Sequence, residues 1–90
     1  MQIEFDTDKR NKTLAERGLD FAQAVDIFAG PVMTLPDQRQ DYGETRLITF
    51  GWLSLHFVAM VWTPRGAARR IISMRYANER EIAKHAHRLV

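Results

Sequence analysis

Apolar and polar positions change their period twice along this chain. Up to Ala29 the apolar residues recur at helical spacing, from Val32 to Tyr76 they form short runs between turn residues, and after Asn78 the helical spacing returns. The segment IEF (residues 3–5) reads as a short opening strand. Asp6 is placed to cap a helix running to Arg17, because its carboxylate can accept an N–H of the first turn, and Gly18 supplies a left-handed stop. Asp20 caps a second helix, with Gln23 at the reciprocal capping-box position. Phe21, Ala24, Val25 and Phe28 then share one face, and Gly30-Pro31 ends the segment.

Beyond Pro31 the expected elements are strands. VMTL (32–35) is followed by the polar loop PDQRQDYGE, then TRLITF (45–50) as a strand and GWLS as a turn. LHFVAMVW (55–62), rich in β-branched and aromatic residues, is the clearest strand. TPRG is a turn signal, and ARRIISMRYA (68–77) is the last strand. Short links favour antiparallel pairing of sequential strands, hence a meander. Asn78 then caps a final helix, with Glu81 completing an N-x-x-E box. The order ααββββα predicts one α+β domain over residues 1–90: two N-terminal helices, a four-stranded antiparallel meander and a C-terminal helix.

Composition narrows the possibilities. A hydrophobic fraction of 46% supports a packed core, and the absence of cysteine excludes disulfides and thiolate metal sites. The opening MQIEFDTDKRNK has no apolar signal core and no apolar run approaches a membrane span, so a cytoplasmic protein without membrane association is expected. Net charge is only +2, but the charge is uneven. From Arg65 onward, arginines and lysines face only Glu79 and Glu81, which suggests an anionic partner.

The candidate chemistry lies in these cations. No metal site is expected: His85 and His87 are two residues apart, on different sides of a helix, and no third ligand accompanies them. Strict alternation in the last strand puts Arg69, Ile71, Ser73 and Arg75 on one face and Arg70, Ile72, Met74 and Tyr76 on the other. If the strand carrying Arg46 approaches that of Arg75, the two guanidiniums could grip a phosphate bidentately and balance charge during phosphodiester cleavage. The competing account is that these arginines pair with Asp41, Glu44 or Glu79. Tyr42, in the loop DYGE, is a candidate for stacking on a base, while Phe50, Phe57 and Trp62 are expected in the core.

Four stretches together, FDTDKRNKTLAERGLDFAQAVDIFAGP, DYGETRLITFG, VAMVWTPRG and RRIISMRYANERE, resemble the BrnT family of ribonuclease toxins from type II toxin–antitoxin systems, related in fold to RelE toxins. The resemblance implies a compact toxin that cleaves RNA and is neutralised by a ribbon-helix-helix antitoxin, BrnA, with DNA bound only through that antitoxin. It marks Arg75 of ISMR and Arg46 of TRLITFG as the family's basic positions. Where the family often has Lys-His-Gly this chain has Glu16-Arg17-Gly18, and a lysine and a tyrosine of many members are replaced by Tyr76 and His85. On this reading Arg46, Arg75 and His85 are the catalytic candidates, with His85 as acid/base, and no cofactor is needed. Arg17, Arg70 and Tyr42 are the RNA-binding candidates. A non-catalytic domain binding RNA or antitoxin through the same groove is the alternative, and an isolated duplex-DNA-binding module is a third.

Overall fold

The computed structural model describes all residues, Met1–Val90. One sheet carries helices on both faces. Its strands are β1 (Gln2–Phe5), β2 (Val32–Pro36), β3 (Leu47–Leu53), β4 (His56–Arg65) and β5 (Ala68–Tyr76). They lie in the order β1-β5-β4-β3-β2. The four later strands form the expected meander. The opening segment is not a separate strand but a fifth member, parallel to β5 from Gln2 opposite Ala68 to Phe5 opposite Ile71. The sheet is therefore mixed. A parallel edge pair needs a long crossover, and α1 (Thr7–Arg17), α2 (Ala24–Ala29) and the meander together supply it.

The first helix forms as its caps dictate. Asp6 accepts from the Lys9 N–H at 3.1 Å, and Gly18 at φ 71° donates its N–H to the Leu14 carbonyl. The second helical segment differs from the periodic reading. Asp20 accepts from the Ala22 N–H, so the first turn, Phe21–Gln23, is a tight 3-10 turn and the return bond from Gln23 does not form. Three residues per turn instead of 3.6 shifts the buried face. Ile27 is fully buried in place of Val25, which is exposed.

The strand after the polar loop runs through Gly51 and Trp52 to Leu53, and the turn falls on Ser54-Leu55. Gly51 sits inside a strand because the helix comes close there: a Cβ would lie 2.7 Å from the Ile27 side chain. Similarly β4 continues through Pro64, and the turn is Gly66-Ala67, with Gly66 at φ 58°. Pro64 is tolerated because β3 pairs with β4 only as far as Trp62.

Strand β4 lies at the centre, and its residues Phe57–Thr63 are all buried, which explains the continuous apolar run there. Val58, Met60 and Trp62 join Leu19, Phe21 and Ile27 in the core under α1 and α2. Phe57 and Ala59 point the other way, to a smaller cluster with Phe50, Ala86 and Leu89 under the C-terminal segment. That segment is α3 (Glu79–His85) followed by a 3-10 turn. Its capping box is present: Asn78 accepts from the Glu81 N–H at 2.8 Å, and Glu81 accepts from the Asn78 N–H at 3.0 Å. No helix is long and apolar enough to cross a membrane.

Alternation along β5 is broken. Trp62 faces Ile71 while Val61 faces Ser73, so Ile72 is an extra residue in the ladder. The expected grouping of Arg69 with Arg75 on one face therefore fails. Arg69 lies over Phe28 and Trp62 on the α1–α2 side, at 4.5 and 4.7 Å from the ring centres. Arg75, opposite Ala59, reaches α3 instead.

Candidate functional site

Helix α3 crosses one face of the sheet and holds Arg75 by a bidentate pair. Its Nη1 and Nη2 donate to the two Glu81 carboxylate oxygens at 2.7 and 2.9 Å. The capping box explains why Glu81 is there, since the residue that closes the first turn of α3 must sit beside the end of β5. Hydrogen bonds from Arg75 hold the Glu81 carboxyl below its ordinary range, against the opposing effect of burial. Both its oxygens are occupied by these partners.

His85 follows Glu81 by four residues and so lies on the same side of the helix. Its ring rests on Phe50 at 4.7 Å between centres. Only 7% of it is exposed, and its Nδ1 is buried with no hydrogen-bond partner. Burial lowers its pKa, aided by the charges of Lys84 and Arg88 and opposed by Glu81. Burial thus favours the neutral form of the imidazole.

Between α3 and the sheet runs a groove of about 260 Å³. Leu35, Pro36, Ile48 and Phe50 form its floor, and Arg80, Glu81, Lys84 and His85 form its wall. The charge of Arg75 is balanced by Glu81, so Arg80 and Lys84 supply the net positive charge. Arg39 also acts on Arg75 electrostatically, although its own guanidinium is held by the buried Asp37 at 2.8 Å.

The remaining candidates lie elsewhere. Arg46 stacks on the Tyr42 ring at 4.0 Å and donates to Glu44 at 3.2 Å. Both line a separate open basin of about 490 Å³ formed by the loop before β3. Arg46 does not converge with Arg75. Arg75 lies level with Phe50 through Ala59, and Arg46 is four residues before Phe50 and two strands away. At about 3.3 Å per residue and about 4.8 Å per strand, the two backbones are about 16 Å apart. Arg17 donates to the Met74 carbonyl at 2.8 Å, closing the edge of β5 beyond the end of β1. Tyr76 returns a bond to the Arg17 carbonyl, so this junction serves packing. Arg70 pairs loosely with Glu4 at 3.4 Å on the neighbouring strand β1.

Glu81 thus bonds Arg75 and shares the groove wall with His85, and Arg46 and Tyr42 are brought together apart from them. In the sequence, Arg80 and Lys84 count only as part of the cationic block after Arg65, and Glu81 only as a capping residue. The one available signal was the capping box, which assigned Glu81 to the start of α3 but said nothing of Arg75.

A family model described as ribonuclease toxin, BrnT, of type II toxin–antitoxin system matches residues 5–81. The chain belongs to the BrnT family. A comparison with curated proteins finds no match. The BrnT match takes in the Arg75–Glu81 pair and stops at Glu81, so His85 and the far wall of the groove lie beyond it. A BrnT toxin has an antitoxin partner and a ribonuclease activity at the level of the family.

Proposed function

We propose that this chain is a metal-independent endoribonuclease toxin whose reaction takes place beside α3, with Arg75 and His85 as its catalytic residues. The observation that carries this reading is the array Arg75–Glu81–His85, in which Glu81 orients the Arg75 guanidinium and, together with His85, lines a cation-rimmed groove. RNA carries its own nucleophile, so cleavage needs alignment, a base and charge stabilisation. His85, through Nε2 because its Nδ1 is buried, accepts the 2′-OH proton as the 2′ oxygen attacks the adjacent phosphorus. The bond from phosphorus to the 5′ oxygen breaks, and that oxygen takes up a proton from water. The products are a 2′,3′-cyclic phosphate and a 5′-hydroxyl. Arg75 gives Nη1 and Nη2 to Glu81 and a long bond to the Tyr76 carbonyl, which leaves Nε and one Nη2 proton for the charge that builds on the phosphoryl oxygens.

Arg46 and Tyr42 form a second patch that contacts RNA away from the reacting phosphate, with Tyr42 available to stack. Arg17 and Arg70 contribute at most general attraction for the RNA backbone. A ribbon-helix-helix antitoxin silences the toxin in the cytoplasm and carries the complex to DNA. A non-catalytic reading is favoured by one feature, the neutralisation of Arg75 by Glu81. Induced expression in bacteria separates the two. The toxin arrests growth, total RNA acquires cyclic-phosphate ends, and Arg75→Ala relieves both while the protein stays folded. Arrest by the wild type without new RNA ends would support the non-catalytic reading.

A further inference from the structure

We infer that the groove between α3 and β2–β3 is a subsite for one unpaired nucleobase flanking the cut, selected by ring size. This rests on the RNA-cleavage reading above and names what the site grips besides the phosphate. At about 260 Å³ the groove lies just below the range of pockets that enclose drug-sized molecules, about 300–1,000 Å³, which suits a single ring system. Its floor is apolar, and Leu35, Ile48 and Phe50 offer a flat base dispersion contact on one side. Arg80 and Lys84 stand one helical turn apart on the wall, where they can hold the phosphates on either side of a bound base. That charge fits a nucleotide.

The polar inventory points to size as the selector. Both Glu81 oxygens are taken by Arg75 and the Asn78 N–H. The floor side chains carry no hydrogen-bonding atoms. Besides the long cationic chains of Arg80 and Lys84, only His85 brings side-chain polar atoms without a partner, and its Nδ1 is buried. With so few fixed donors and acceptors, purines and pyrimidines are told apart by fit, and bases of one size are not.

The test uses the full chain and single-stranded RNA of mixed sequence, with every cut mapped. Leu35 is 41% exposed on an edge strand, so Leu35→Trp narrows the groove with little risk to folding. Ile48→Ala widens it. Leu35→Trp is expected to move cleavage at least fivefold toward pyrimidines at one flanking position, and Ile48→Ala to move it toward purines. An abasic residue at that position in a 2′-O-methylated, uncleavable RNA is expected to weaken binding about tenfold, as loss of one stacked base does. Identical cut maps for the wild type and both variants, with RNA still cleaved, would overturn the subsite alone. So would variants that lose antitoxin binding while their cut maps and abasic penalty stay those of the wild type, since the groove would then be a protein-docking surface. If the wild type cuts no RNA, the reading beneath the subsite falls with it.

Discussion

The two faces of the sheet solve opposite problems. Under α1 and α2, nine buried residues from Leu19 to Met74 interlock, and Gly51 gives up its side chain so that Ile27 can reach the strand. Under α3 the cluster is smaller, and the helix stands off the sheet edge far enough to leave a groove with a buried, unpartnered imidazole nitrogen. One face is packed for stability, and the other carries the one buried side-chain polar atom left without a partner. Strand β4 serves both, since its alternate residues are buried on either side.

The largest effect that can break this contrast is on folding. Phe21→Ala, on the packed face, is expected to cost about 3–5 kcal/mol. Leu89→Ala, on the other face, is expected to cost about 2 kcal/mol, the low end for a leucine at an edge. Denaturant unfolding of both measures the difference, and equal costs would remove the distinction between the faces.

Next comes the chemistry. Arg75→Ala should slow RNA cleavage by about 100-fold or more, the scale of losing one preorganised donor to developing charge. Glu81→Gln should slow it roughly tenfold, because the guanidinium loses its bidentate anchor while a capping acceptor remains. A Glu81→Gln variant faster than the wild type would instead mean that Glu81 restrains Arg75 by neutralising it.

The smallest effect is on pH-dependent stability. Burial lowers the His85 pKa in the folded chain from the ordinary 6.5. On acidification the unfolded chain takes up the proton first, so this contribution is intact above pH 6.5 and fades as pH falls through the folded value. Glu81 and Asp37, both lowered mainly by arginine hydrogen bonds, add further losses only below their ordinary values of 4.5 and 3.8. His85→Phe should flatten the decline just below pH 6.5 and leave the lower one. Melting temperatures across the range check this, and an unchanged profile in His85→Phe would assign the decline to other groups.

Local signals carried much of the fold. The Asp6 cap, the Gly18 stop, the β4 run and the Asn78–Glu81 box each depend on neighbours within a few residues. What escaped depends on distant partners. Four residues of β1 become a parallel edge only because β5 is there, and the extra residue at Ile72 shows only in the ladder with β4. The site followed the same division. Arg75 and His85 stood out as residue types, but their link through Glu81 needed the angle between β5 and α3. Arg46 and Arg75 stay apart because register, unreadable from one strand, sets them four residues and two strands from each other.

Whether the α3 face of this BrnT toxin cuts RNA with Arg75 is decided by the cleavage rate of an end-labelled single-stranded RNA, measured for the purified chain and its Arg75→Ala variant with chelator present and both melting temperatures recorded. Cyclic-phosphate products from the wild type and a loss of about 100-fold in a folded variant are expected. Equal rates from two folded proteins would remove Arg75 from the reaction.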